Sequence, residues 1–369
     1  MISGLAAVNR YVTTTLRRAA TVALRSPLVR VAGTLLAVVL LLHSIDLAKA
    51  AHGLRDANVG WATLGVVLTA LSLIGSVVEW GVLLRGTGHR FSWSALSAWY
   101  LEGLFVGQVL PAGVGGDALR AVEVGKVTGH GHALASLAGS RMAGTLGMAF
   151  WGVAGAVMLR AWLGPFWLAG ACAFAAAMIV AWVLALGADR VVRRLHGNAC
   201  PIRRRIHRVL HPFTGAFRGY RARPRMLMQC MLVGAAGWGV NLCALMVFSR
   251  AVGADVSWTL FAVAIPITLL ATLTPFSLNG VGLREGVLVG LLAHAGVSSG
   301  HAGALSILID LQMVPFALLG AVFWMRRRRG RAEAAALAAS AAAAELVPGP
   351  APTGLVAVPA PTGLVAVPA

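Results

Sequence analysis

Long apolar stretches alternate along the chain with short basic or glycine-rich interruptions. Several of the stretches exceed the roughly 18 residues that a helix needs to cross a bilayer. Six read as full spans: Val31–Leu47, Trp61–Leu84, Leu134–Leu159, Leu163–Leu186, Met226–Phe248 and Gly303–Met325. Two further apolar regions, Ser94–Leu110 and Trp258–Leu292, are broken by Pro and Gly. The stretches are continuous runs rich in Leu, Val and Ala rather than period-two alternations, which predicts helices and not a barrel. The expected fold is all-α: a polytopic membrane helix bundle of about six full spans plus two broken elements.

Composition agrees with that pattern. Hydrophobic residues make up 58% and charged residues 12%, with a mean hydropathy of +0.80, too little polar surface for a soluble domain of 369 residues. The formal net charge of +19 invites a nucleic-acid reading, but its placement argues against one. Eleven Arg lie between Arg190 and Arg225, four form Arg326–Arg329, and five lie between Arg10 and Arg30. These clusters flank spans, as the positive-inside rule requires, and contact with anionic headgroups is a second role they suit. No nucleic-acid partner is expected. The four Cys form no CxxC pair and read as small apolar residues, so neither a metal nor a disulfide is implied.

The basic clusters place the N-terminus, the Arg190–Arg225 loop and the C-terminus on the cytoplasmic side. Counting spans between them puts Arg85–Arg90 and Arg120–His132 on that same side. The chain from Phe91 to about Arg120 therefore starts and ends on one side, which predicts a re-entrant hairpin or a broken helix pair. The same count makes Asp255–His301 start and end outside, which fits either two short spans or a second hairpin. Opposed broken elements are what an inverted-repeat transporter places at its midplane site, so an inverted repeat is a possible architecture.

The two breaks resemble each other. Leu110-Pro111-Ala112-Gly113-Val114-Gly115-Gly116-Asp117-Ala118-Leu119-Arg120 and Pro275-Phe276-Ser277-Leu278-Asn279-Gly280-Val281-Gly282-Leu283-Arg284-Glu285-Gly286 each carry a Pro, a Gly-Val-Gly and then an Arg. Proline ends the incoming helix, and glycine allows a positive φ or close backbone approach. Asp117 and Asn279 suit the N-cap of a following helix, and a helix opening after glycines offers free N–H groups to an anion such as phosphate. Gly103xxxGly107 and Gly286xxxGly290 have the spacing of close helix contacts. Charged residues in or beside apolar segments, Glu102, Asp117, Arg120, Arg141, Arg284, Glu285 and Asp310, are costly near mid-bilayer and point to a substrate role or to mutual salt bridges. The candidate substrate-binding set is Gly113, Gly115, Gly116, Asp117, Arg120, Arg141, Asn279, Gly280, Gly282, Arg284, Glu285 and Asp310.

The first break, followed by Ala138-Gly139-Ser140-Arg141, resembles the motif pair of the lysylphosphatidylglycerol synthase transmembrane-domain family, also described as flippase-like. Asn279-Gly280-Val281-Gly282-Leu283-Arg284-Glu285-Gly286 is similar to that family's later G-x-G-x-R-E motif. The resemblance covers roughly residues 25–330. It implies a multi-pass protein of the bacterial plasma membrane that translocates modified phospholipids or related lipid-linked substrates. It also implies that the soluble aminoacyl-transfer domain of bifunctional members is missing after Arg329. Ser140 stands where the family has an acid before the Arg, so a salt bridge of Arg141 to that neighbour is not expected.

The domain organisation expected from sequence is a basic segment at 1–27, a flippase-like transmembrane domain at 28–329 with an Arg-rich loop at 189–225, and an Ala-rich then Pro/Gly tail at 330–369. The tail repeats Ala-Pro-Thr-Gly-Leu-Val-Ala-Val-Pro and reads as an extended low-complexity segment. The functional reading is an integral membrane protein that translocates or binds an anionic phospholipid or polyprenyl-phosphate-linked lipid. The alternative is an accessory scaffold for a separate synthase or glycosyltransferase. No DxD, HExxH or nucleophile–base pattern is present, so no enzyme activity and no cofactor are expected.

Overall fold

The computed structural model describes residues 47–109, 115–190, 214–272 and 282–345. The predicted first span Val31–Leu47 lies outside them apart from Leu47. So do both glycine-rich turns, most of the Arg-rich loop and the repeated tail. All regular structure among the described residues is helical, as the apolar runs predicted. By its internal contacts the chain forms two units, Met1–Phe323 and Trp324–Ala369.

In the first unit, α1 (Leu47–Arg55) precedes the long α2 (Val59–Gly86), α3 (Trp93–Val109), α4 (Gly115–Thr128) and α5 (His130–Met158). A four-residue α6 (Arg160–Leu163) then leads into α7 (Pro165–Leu186). After helical residues 214–221 come α8 (Pro224–Ala251), α9 (Trp258–Thr272), α10 (Leu283–His294), α11 (Ser299–Leu311) and α12 (Val314–Glu345). Among the described residues, four segments are long and apolar enough to cross a membrane: α2, α7, α8 and the nearly continuous Ser299–Gly330. The chain is a multi-pass membrane protein. The predicted span at Gly303–Met325 begins earlier, at Ser299, and is interrupted at Gln312–Met313. In the second unit, the distal part of α12 carries Arg328 over the Trp324 ring at 4.5 Å.

Local chemistry sets several of these boundaries. Asn58 caps α2 by accepting the Trp61 N–H at 3.2 Å, and Ser298 caps α11 by accepting the His301 N–H at 3.3 Å. Pro165 and Pro224 occupy first turns, where the missing N–H is harmless. Arg250 lies over the Trp61 ring at one end of α2, and Arg85 over the Trp93 ring at the other. At 1.5 Å per residue these pairs stand about 36 Å apart, a hydrocarbon core plus its interfacial edges.

The helices run in two halves of the same order, the pattern that an inverted repeat would give. α2 and α8, each 28 residues long, pack antiparallel: Gly65 faces Phe248, Gly75 faces Gly237, and Gly86 faces Met226. Counted from its helix start, Ser72 occupies the same place as Gly237, and the Ser72 hydroxyl donates to the Gly237 carbonyl at 3.0 Å. The rest of each half follows the same order: α3 and α9, a break, α4 and α10, then α5 and Ser299–Gly330. Contacts repeat as well. Thr69 and Gln312 share a hydrogen bond of 2.6 Å, while the matching positions Gly234 and Ala143 touch through backbone. Gly152 abuts Pro266, and within one residue of the equivalent place Gly320 is seated on the Leu101 carbonyl.

Each broken element pairs two helices across a glycine-rich stretch; the described parts of α3 and α4 are about 25 and 21 Å long, and those of α9 and α10 about 22 and 18 Å. α3 and α4 run antiparallel, with Gly107 beside Gly116 and Tyr100 beside Arg120.

Candidate functional site

The first cluster is built where α4 leaves the glycine-rich turn. A Cβ on Gly116 would run into the Gly103 carbonyl, with the Gly103 carbonyl carbon 2.9 Å away, so the α3 and α4 backbones touch there. A side chain of any size at either position would part the two helices, which is why glycine is needed. Arg120, one turn further along α4, lies across Gly103 and stacks on the Tyr100 ring at 4.2 Å. Only 8% of Arg120 is exposed. Asp117 reaches it at 3.5 Å through Oδ1 and takes Arg141 of α5 through Oδ2, at 3.0 Å from Nε and 2.9 Å from Nη2. Arg120 Nε and Asp117 Oδ1 are both buried without a hydrogen-bond partner. Two guanidinium groups thus meet one carboxylate, a net positive group beside a helix N-terminus.

The second cluster occupies the equivalent place in the other repeat. Arg284 pairs with Asp310 of α11 and with Glu285, the latter at 2.9 Å. Glu285 also accepts the Gly282 N–H at 2.6 Å, half of a capping box whose other half a glycine has no side chain to supply. Gly282 has φ +80°, a conformation that only glycine adopts without strain. Each cross-helix ion pair joins the second residue after the Gly-Val-Gly to a residue the same distance along the following helix: Asp117 to Arg141, and Arg284 to Asp310. Acid and base have exchanged places between the repeats. Arg141 and Asp310 each lie about 16 Å along their helices.

Of the predicted set, Gly115, Gly116, Asp117, Arg120 and Arg141 come together in the first cluster, and Gly282, Arg284, Glu285 and Asp310 in the second. Gly113, Asn279 and Gly280 lie outside the described residues. Two expectations are corrected, and the one for Arg141 and its neighbour at 140 stands. Asp117 falls inside the first turn of α4 rather than at its cap, because the helix already begins at Gly115 and the two Arg hold the carboxylate. Gly103 and Gly107 do face Gly116, but a Cβ on Gly286 or Gly290 would meet nothing within 4 Å among the described residues, so that spacing marks no close contact between them. Arg141 keeps an acidic partner despite Ser140, because Asp117 reaches it from α4.

Sequence reasoning missed Glu79 and Tyr100. Glu79 is 4% exposed on α2, seated against Gly234 of α8, and accepts the Ser140 hydroxyl at 2.8 Å. The position that lacks an acid on α5 thus faces one from α2. Its signal was available: Glu79 is the only acidic residue in the apolar run Trp61–Leu84. Tyr100 had no such mark, since nothing in the sequence tells which aromatic of α3 lies under Arg120.

Residues 28–321 match the family model described as "Lysylphosphatidylglycerol synthase TM region". Two relatives from Methanothermobacter thermautotrophicus, each named "UPF0104 membrane protein", are 24% identical. One match runs over 271 residues, 66% of this chain and 76% of the relative; the other runs over 274 residues, 69% and 81%. The order of spans, the two glycine-broken hairpins and the family match lead to one assignment: the chain belongs to the lysylphosphatidylglycerol synthase transmembrane-region family.

Proposed function

We propose that the protein binds an anionic lipid by its phosphate, either a phospholipid or a polyprenyl-phosphate-linked one, and passes the headgroup between leaflets. The observation that carries this reading is Arg120: nine-tenths buried in an apolar bundle, with an Nε that makes no hydrogen bond, in the first turns of α4 and joined through Asp117 to Arg141. An ionised side chain near the bilayer centre costs about 2.5–3.5 kcal/mol on insertion scales, so a purely structural core would use an apolar residue there. Guanidinium groups and the free N–H groups of a helix start are the donors that phosphate oxygens take. The acyl chains remain in lipid while the headgroup crosses at the clusters. Two repeats of opposite orientation supply the two arrangements that alternating access needs. The family's description refers to a synthase of a charged phospholipid, which supports a lipid substrate. The setting is a bacterial plasma membrane with both termini cytoplasmic, on the placement of the Arg clusters.

The test is headgroup transfer of a fluorescent phosphatidylglycerol in reconstituted vesicles. Arg120→Gln and Arg284→Gln should abolish transfer while the purified proteins keep their helical spectrum. Transfer at the wild-type rate in both variants removes these residues from the mechanism.

A further inference from the structure

We infer that Asp117 is an internal ligand: its carboxylate occupies the headgroup's place in the empty site, and the incoming phosphate displaces it. This rests on the proposed phosphate site and adds how that site is regulated.

Geometry carries the inference. One carboxylate is shared between two guanidinium groups, and it serves them unequally. Oδ2 is bound by Nε and Nη2 of Arg141 at 3.0 and 2.9 Å, while Oδ1 stands 3.5 Å from Nη1 of Arg120, beyond a good hydrogen bond. That leaves Arg120 Nε and Asp117 Oδ1 buried and unsatisfied on the same small cluster. The open Arg120 Nε is a buried, charged donor without an acceptor, and an incoming anion can complete it, whereas Asp117 Oδ1 is an acceptor that an anion leaves as it is. A phosphate diester carries two charged oxygens, set wider apart on a tetrahedral phosphorus than those of a carboxylate, and can bridge the guanidinium groups of Arg120 and Arg141. It cannot do so while Asp117 stays between them, because two anions on one site repel.

The other repeat shows what a fixed acid looks like. Glu285 is tied to the helix start through the Gly282 N–H at 2.6 Å as well as to Arg284. Asp117 has no such tie: among the described residues its partners are Arg120 and Arg141 alone. It sits in the first turn of α4, where a rotamer change moves the carboxylate without moving backbone. Arg141 is 66% exposed at its side chain, so the Asp117–Arg141 contact is on the accessible side of the cluster. Displacement therefore begins at Arg141 and ends at the buried Arg120.

The binding chemistry is that of a phosphate oxyanion, which a lipid headgroup or free inorganic phosphate could supply. The test uses the full chain in phosphatidylcholine nanodiscs, with a fluorescent short-chain phosphatidylglycerol as probe and inorganic phosphate as competitor. Asp117→Asn keeps the side-chain shape and removes the competing charge, and should bind the probe about tenfold tighter while slowing its transfer between leaflets. Glu123→Gln removes a negative charge further along the same helix and should leave affinity unchanged, separating displacement from a general field. Arg120→Gln should weaken binding and abolish the gain in Asp117→Asn. Should Asp117→Asn fail to fold, Asp117→Ser carries the same expectation. Competition by inorganic phosphate identifies a site open to free phosphate, and competition by the lipid alone a site that needs acyl chains; displacement of Asp117 is upheld in either case. Affinity unchanged or weaker in Asp117→Asn, with Arg120→Gln still impaired, overturns the internal ligand and leaves the phosphate site standing. Arg120→Gln and Arg141→Gln both binding like wild type overturn the phosphate site, and the internal ligand with it.

Discussion

Gly116→Ala is the smallest change that tests how the first cluster is held. The added methyl would meet the Gly103 carbonyl, with its carbon 2.9 Å and the Gly103 Cα 3.4 Å away, all backbone atoms that no rotamer change can move. Restoring ordinary contact requires α3 and α4 to separate by about 1 Å, and overpacking of this kind costs about 1–3 kcal/mol. Asp117 and Arg120 follow on the same turns of α4, so the shift also spoils the placement of the anion site. Gly286→Ala is the matched control from the other hairpin: it lies within α10, and its new methyl meets nothing within 4 Å. There the substitution removes glycine's excess unfolded-state entropy and should stabilise by about 0.5–1 kcal/mol. Thermal unfolding of both variants in one detergent, followed by tryptophan fluorescence, should rank Gly286→Ala above wild type and Gly116→Ala below. Probe binding should fall in Gly116→Ala alone. A Gly116→Ala protein that melts at or above wild type and binds normally would refute the reasoning.

Two further outcomes follow from buried polar groups. Ser140→Ala removes the hydroxyl that donates to Glu79 at 2.8 Å and should cost about 1–3 kcal/mol, whereas adding Ser140→Ala to Glu79→Leu should cost much less; fully additive losses would show that the contact contributes nothing. Tyr220, wholly buried outside the spans, has its phenol pushed well above the usual tyrosine range, first by burial and then by Cys230. The folded state holds that proton more tightly than the unfolded one, so this contribution to stability is complete below about pH 10 and is lost as pH rises above it. Alkaline titration of tyrosine absorbance should show one phenol ionising only with unfolding, and that phase should vanish in Tyr220→Phe; an unchanged titration contradicts it.

Much of the architecture was legible because membrane helices leave few choices. Runs such as Met226–Phe248 are long enough to cross, and backbone groups must be satisfied within the helix, so length alone locates α8 to within a few residues. The hairpin at Trp93–Thr128 was legible from the parity of basic loops. What the sequence did not carry was packing. Gly103xxxGly107 and Gly286xxxGly290 look alike in one dimension, yet one pair touches a neighbouring helix and the other faces open space. The Asp117–Arg141 pair joins residues of two helices whose facing sides depend on rotation about each axis. The exchange of acid and base between repeats became visible only once Arg284 and Asp310 were seen at equivalent places. Glu79 shows the converse: a lone acid in an apolar run is a legible signal, but its partner Ser140 is set by the way α2 and α5 meet.

Native mass spectrometry of the full chain, extracted from its own membrane with lipids retained, reads out whether Arg120 and Arg141 hold a lipid phosphate. The wild-type protein should carry a phosphate-bearing lipid at near-unit occupancy, and Arg120→Gln combined with Arg141→Gln should release it with the fold intact. Equal retention by the double variant, or a wild-type protein that carries only neutral lipid, would contradict the account.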